Sequence, residues 1–263
     1  MNFTRRSNTI YEVQEILEII DVGVTVPIRC RFDDGTVAIV KYMKNRSGIR
    51  TLINEWIGSS IADCIGLSIP NYGLCDLSED VITKSSSWNE EDELTSENAG
   101  LAFYSQNISK AVCPDPFLLS RVVNRETELV ILHDLLINNQ DRHIGNVLVE
   151  MCSEPYLYFI DNSHCLESHL DLKKFLSRNN EIYDLLALTV GFNAKKLSSE
   201  AERIQNALTP SVLETIRATI PLAWSKKVST VEINQIFKGI QDRLSNLERL
   251  SRDIAAFRRN RDE

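Results

Sequence analysis

Along the chain the apolar positions keep one period first and another afterwards. From residue 17 to 43 they follow strand logic. Leu17–Ile20 is apolar, Asp21-Val22-Gly23 reads as a turn, and Thr25–Phe32 is β-rich. Asp33-Asp34-Gly35 predicts a hairpin, because Asp and Gly tolerate positive φ. Thr36–Tyr42 is the return strand; it is almost free of polar residues until Lys41, which predicts a central strand buried on both faces. The period then becomes helical. Leu52, Ile53, Trp56, Ile57, Ile61 and Ile65 recur at steps of three and four, and Gly66 ends the helix. Pro70 and Gly73 bracket a further extended piece. Residues 76–100 are rich in Ser, Glu, Asp and Asn and read as an exposed loop or insertion with one strand at Val81–Ile82. Leu101–Tyr104 reads as a strand or a hinge.

From residue 115 helices dominate. Asp115-Pro116 has the form of an N-cap with Pro at the first helical position. Thr127–Ile137 is helical, with Leu129, Leu132, Leu135 and Leu136 on its apolar side. Val147–Glu150 and Tyr156–Ile160 predict a hairpin around Cys152–Pro155. Ser199–Leu208 and Ser211–Ile220 are short helices. Ile233, Ile236, Ile240, Leu244, Leu247, Ile254 and Phe257 trace one stripe on a long final helix. Strands with one helix come first and helices follow, so the expected class is α+β: a β-rich lobe over 1–105, a mostly helical lobe over 106–263, and a cleft between them.

Composition narrows the function classes. The 263 residues hold 29 Lys+Arg against 37 Asp+Glu, a formal net charge of -8, which argues against bulk nucleic-acid binding. No stretch approaches the roughly 18–20 apolar residues that span a bilayer. The N-terminus has basic residues but no apolar run of a secretory signal after them. Six scattered cysteines without a C-x-x-C pair argue against structural zinc and a disulfide framework. They read as reduced thiols of a cytoplasmic protein, most of them buried.

One segment concentrates chemistry: Asn138-Asn139-Gln140-Asp141-Arg142-His143-Ile144-Gly145-Asn146, set between apolar flanks. The hairpin that follows ends in Ile160-Asp161-Asn162. Phosphoryl transfer from Mg-ATP needs such a set. A carboxylate, Asp141, orients or deprotonates the attacking hydroxyl, and oxygens of Asn146 and Asp161 hold Mg²⁺ between phosphates. Upstream, Lys41 on its strand neutralises phosphate charge and Glu55 on the next helix fixes it. Gly23 and Thr25 lie where a phosphate-covering loop belongs, and Phe103 and Tyr104 lie on the nucleotide side. Taken singly, each residue has a structural reading. Asp141 could cap a turn and pair with Arg142, Lys41 could be a solvated strand lysine, Glu55 an exposed helix residue, Gly23 a turn glycine, and Asp161 a helix N-cap. Four elements in this order favour the catalytic reading. His133 reads as structural; His164 and His169, near Cys165, lack the spacing of a metal set and read as surface or packing residues.

The run Asn138–Asn146 is similar to the catalytic loop of HipA-like kinases, N-x-D-x-H-x-x-N, and to the D-R-H-x-x-N of phosphoinositide kinases. Asn54-Glu55, with the helix ending at Gly66-Leu67-Ser68-Ile69-Pro70, also looks HipA-like. The resemblance covers roughly residues 20–165. It implies a bilobal, ATP-dependent serine/threonine protein kinase in which Asp141 is the catalytic base, Asn146 and Asp161 bind Mg²⁺, Lys41 contacts ATP phosphates, and His143 supports the loop or the phosphate. It leaves room for an antitoxin or regulatory partner beside a protein substrate. Full-length HipA toxins are longer and carry an extra N-terminal subdomain, whereas this chain is expected to start almost at the kinase core. Asp161 is followed by Asn162-Ser163 rather than Phe-Gly. A small-molecule kinase of the antibiotic-phosphotransferase type and a non-catalytic kinase-like binding module are the competing readings.

Overall fold

Five strands within residues 6–106 close into a barrel in the computed structural model, which describes residues 3–20, 24–85 and 94–262. They are β1 (Arg6–Ile19), β2 (Ile28–Phe32), β3 (Val37–Lys41), β4 (Tyr72–Leu77) and β5 (Gly100–Gln106), in the order β1-β2-β3-β5-β4. All neighbours are antiparallel except β1 and β4, whose parallel pairing closes the ring. Period-two alternation fills the interior with Val13, Cys30, Phe32, Ala38, Val40, Cys75, Ala102 and Tyr104. Tyr11 stacks on Phe32 at 5.3 Å, and Phe32 meets Tyr104 edge-on at 5.0 Å.

The same alternation corrects the reading of β3. The strand is central, between β2 and β5, but only one face is fully buried: Val37 and Ile39 are half-buried and face away from the barrel interior. β1 was not expected before residue 17. Most of its side chains are exposed or half-buried, so the stretch carries little hydrophobic signal, and pairing on both edges holds it extended. Val81 and Ile82 are not a strand. They form the buried side of a helix, α2 (Glu79–Ser85), which starts with two acidic residues and a Ser78 hydroxyl accepting from the Val81 amide. Among the described residues the first hundred therefore hold two α-helices rather than one.

The other is α1 (Arg50–Ile65). Fourteen of its 16 residues are buried, as befits a helix apolar on most sides that runs through the core. Gly66 ends it in the left-handed conformation, φ 79°, while the Leu67 amide reaches back to the Ala62 carbonyl. Beyond residue 106 come α3 (Pro116–Arg121), capped by Asp115 as expected, and α4 (Thr127–Ile137), buried along its whole length. The small sheet holds β6 (Ala111–Val112), β7 (Val147–Glu150) and β8 (Tyr156–Phe159); the hairpin was expected and the two-residue β6 was not.

Helices α5 (Leu172–Thr189), α6 (Ala194–Ala207), α7 (Pro210–Ala218), α8 (Leu222–Ser225), α9 (Thr230–Ser245) and α10 (Leu247–Asp262) complete the described chain. α6 begins earlier than expected because the Asn193 side chain accepts from the Lys195 and Lys196 amides. The final apolar stripe is shared by two helices, since Asn246 leaves helical geometry. One large core joins α1, α4 and the later helices; the barrel interior is a second, smaller one. Only three of the six cysteines, Cys30, Cys75 and Cys165, are buried; Cys64 on α1 is half-buried, and Cys113 and Cys152 are exposed. Among the described residues no helix is long and apolar enough to cross a membrane.

Candidate functional site

Lys41 ends β3 on the face turned away from the barrel interior, and α1 passes beneath it. Its Nζ donates to Glu55 at 2.5 Å, to Asp161 at 3.0 Å and to the Ser163 hydroxyl at 2.7 Å. Burial works against the charge of Lys41, but the carboxylates of Asp161 and Glu55 outweigh it and hold the pKa above the ordinary lysine value. Glu55, itself buried, also accepts from the Asn162 amide at 3.1 Å and the Ser163 hydroxyl at 3.0 Å. The helix glutamate therefore locks both the lysine and the turn that carries Asp161.

That turn follows β8. Asp161 adopts φ 62°, a left-handed conformation that Asp tolerates better than most residues. Its carboxylate accepts from the Ser163 amide at 3.0 Å, so it closes an Asx-type turn rather than capping a helix. Burial would raise its pKa, yet Lys41 and Ser163 keep the carboxyl well below the usual carboxylate range. α1 comes close to this turn because residue 58 is glycine. A Cβ there would lie 2.8 Å from Asn162 Cβ and Cγ. The Asn54 side chain then donates to the Ser163 and Cys165 carbonyls at 2.7 and 3.1 Å.

The loop after α4 is shaped by buried polar groups. Asn138 ends the helix at φ 50° and donates from its side chain to the Glu167 and His169 carbonyls. Arg142 is 2% exposed and pairs in a fork with Asp134 of α4, Nε to Oδ2 at 3.0 Å and Nη2 to Oδ1 at 2.9 Å. Its Nη1 donates to the carbonyls of Asn146 and Ile160, at 3.2 and 2.6 Å, and so ties the loop to the end of β8. Arg142 thus pairs with Asp134 and not with Asp141. The Asp141 amide donates to Asn139 Oδ1 at 3.0 Å, and the Asp141 carbonyl accepts from Asn146 Nδ2 at 2.8 Å. The backbone of Asp141 is fixed from both sides, while its exposed carboxylate has no hydrogen-bond partner among the described residues.

These elements meet at a cavity of about 600 Å³, within the usual range for small-ligand sites. Lys41, Glu55, Asp141, His143, Asn146 and Asp161 all line it. Thr25 and Phe103 line it too, whereas Tyr104 does not: alternation along β5 turns Tyr104 into the barrel. Gly23 lies outside the described residues. His143 accepts from the Gly145 amide through Nδ1 at 3.1 Å. His164, read from sequence as surface or packing, stands on the cavity wall. His133 is structural as expected, 3.0 Å from the Gly58 carbonyl.

Sequence reasoning missed Arg142 with Asp134, Ser163, Asn54 and Gly58. An Arg in a loop between apolar flanks, eight residues after an Asp on an apolar helix, was the available signal for the first pair. Among the described residues no three His, Cys, Asp or Glu side chains cluster as a metal site. A cation here would take oxygens from Asn146 and Asp161 and the rest from a bound ligand, which is how Mg²⁺ is usually held beside phosphates.

Acid should loosen this framework. Burial penalises the charge of Asp134, but the Arg142 fork and His133 outweigh it and hold the carboxyl at about 2. Unfolded Asp titrates near ~3.9. A depressed native pKa gives stability that is complete above the unfolded value and lost as pH falls towards the native one. The urea midpoint should therefore fall progressively between about pH 4 and about pH 2; a midpoint that stays level there would show that the pair adds no net stability.

The family model for HipA-like kinases matches residues 13–253. Comparison with curated proteins gives no match. Among solved structures the chain is similar to the proinflammatory kinase CtkA of Helicobacter pylori, at 13% identity and TM-score 0.57, over 94% of this chain and 98% of that one. The Golgi casein kinase with Mn/ADP bound aligns at 12% identity and TM-score 0.57, over 92% and 73%. HipA of Shewanella oneidensis, in a complex with HipB and operator DNA, aligns at 13% identity and TM-score 0.50, over 90% and 65%. At such identities the likeness speaks for a kinase-like fold.

Proposed function

The chain belongs to the HipA-like kinases, and from that premise we propose that it transfers the γ-phosphate of ATP, with Mg²⁺, to a serine or threonine hydroxyl of a protein. The observation that carries the reading is Lys41. It is held at once by Glu55 and Asp161 on the wall of a cavity that Asp141 and Asn146 also line. In this reading residues 1–105 form the nucleotide lobe and 106–263 the acceptor lobe of a bilobal kinase. A relative of known structure carries Mn and ADP, which is consistent with nucleotide and a divalent ion in this cavity.

When bound, Mg²⁺ would neutralise phosphate charge from Asn146 and Asp161, whose oxygens suit a hard cation. Lys41, kept charged, presents its ammonium to the phosphates, and Glu55 keeps it from swinging away. Thr25 and Phe103 border the nucleotide side. Asp141, whose carboxylate is unengaged, accepts the proton of the acceptor hydroxyl as that oxygen bonds to phosphorus and the bond to the nucleoside diphosphate breaks. His143 shapes the loop through the Gly145 amide. HipA of Shewanella oneidensis occurs with HipB, so an antitoxin-type partner is part of the proposal.

Thermal stability tests it. ATP with Mg²⁺ should raise the melting temperature, since a ligand of the native state alone adds RT ln(1 + [L]/Kd). ATP with a chelator should raise it less. No shift with any nucleotide and divalent ion would remove the kinase reading and leave the binding-module alternative.

A further inference from the structure

A lysine ammonium carries three N–H donors and no acceptor. On Lys41 all three are engaged, by Glu55 at 2.5 Å, by Asp161 at 3.0 Å and by the Ser163 hydroxyl at 2.7 Å. A further acceptor, such as a phosphate oxygen, therefore has to replace one of them. The three partners are not equally placed. Glu55 and Ser163 are buried, whereas the Asp161 side chain is 32% exposed and stands on the cavity wall. Ser163 is not part of that wall. Its place in the network follows from donor count. The ammonium can only donate, so the Ser163 oxygen accepts from it, and the single hydroxyl hydrogen goes to Glu55 at 3.0 Å. The Ser163 amide holds the Asp161 carboxylate at 3.0 Å through the backbone, a bond that truncation of the side chain leaves in place.

We propose that Ser163 is a positioning residue for Lys41: when a nucleotide phosphate takes the place of Asp161 at the ammonium, Ser163 and Glu55 keep the other two N–H groups and aim the third into the cavity. The inference rests on the nucleotide reading of that cavity. Exchanging a carboxylate for a phosphate oxygen keeps an anion beside the ammonium throughout, so its charge is never left unpaired. Without the hydroxyl, the free chain still holds Lys41 by two carboxylates, but the nucleotide-bound chain holds it by Glu55 alone. The N–H that Ser163 occupies points at a residue outside the cavity wall, so releasing it offers nothing to a phosphate. The cost of losing Ser163 therefore falls on the bound state, and only with ligands that carry phosphate.

The test is the affinity of the full chain for ATP and for adenosine, each titrated by calorimetry, in wild type, Ser163→Ala, Lys41→Met and the double variant. Ser163→Ala should weaken ATP binding by about tenfold, the size of one lost charge-assisted hydrogen bond, and leave adenosine binding unchanged. In the Lys41→Met background the same substitution should change ATP affinity by less than about twofold, because its effect passes through the lysine. A residue that only supports the fold would weaken both ligands alike and would do so with or without Lys41. That result, or ATP affinity unchanged or tightened in Ser163→Ala, overturns the proposal. Wild type that binds ATP while Ser163→Ala loses nothing overturns this proposal alone; wild type that binds neither ligand overturns the nucleotide reading of the cavity and this proposal with it. If Lys41→Met does not fold, the comparison of ATP with adenosine in Ser163→Ala decides.

Discussion

Asp141→Asn is expected to lower phosphoryl transfer by at least about a hundredfold, at the lower bound for general acid–base catalysis, while nucleotide affinity stays near the wild-type value. The argument is geometric. The Asp141 backbone is held by Asn139 and Asn146, so an isosteric amide should leave the loop in place. Among the described residues its carboxylate has no hydrogen-bond partner, which leaves it free to take a proton. Asp161→Asn should behave differently. It removes a charge from Lys41 and from any divalent ion, so Mg-dependent nucleotide affinity should fall by about tenfold or more along with turnover. Asparagine tolerates the φ of 62° at this position, so the backbone cost is small. Calorimetric titration with a non-hydrolysable nucleotide, beside single-turnover rates, separates the two. Loss of binding in Asp141→Asn with binding kept in Asp161→Asn would invert the assignment.

The second large effect is on stability. Arg142→Met should cost about 3–5 kcal/mol, because it leaves the fully buried Asp134 charge with its ionic partner gone. Tyr183 and Asn139 would still donate to that carboxylate, at 3.0 and 3.2 Å, but both are neutral. The Ile160 carbonyl would also lose its donor, and the Asn146 carbonyl would keep only the Ile160 amide, at 3.1 Å. Denaturant unfolding measures the loss. Asp134→Asn combined with Arg142→Met should recover part of it, since no lone charge then remains. A single mutant as stable as wild type would mean that the fork is ornamental to folding.

Much of the site could be read from residue types and order. Lys41 at a strand end, Glu55 on the next helix, the Asp141-to-Asn146 spacing and Asp161 after an apolar strand all rely on local periodicity, and the structure brings them to one cavity. What stayed hidden depends on distant partners. Barrel closure rests on β1 lying parallel to β4, some sixty residues away, and β1 is mostly solvent-facing. Tyr104 was placed on the nucleotide side because period two alone does not say which face of β5 is inward; Phe32 and Tyr11 decide it. Val81-Ile82 has the β-branched character of a strand, but a two-residue apolar pair fits a short helix equally well once Ser78 starts it. The side-chain donors to the backbone carbonyls of the segment after Asp161 include Arg50 and Asn54 of α1, Asn138 at the end of α4 and Arg243 of α9. Nothing local in the sequence joins them.

Transfer of label from γ-labelled ATP to protein tests the central claim most directly. Wild type with Mg²⁺ and a cell lysate should label a protein species on serine or threonine, and Asp141→Asn at equal concentration should not. Label passing only to small molecules would contradict the protein-kinase reading. Equal labelling by wild type and Asp141→Asn would contradict the assignment of this cavity as the place where phosphate is transferred.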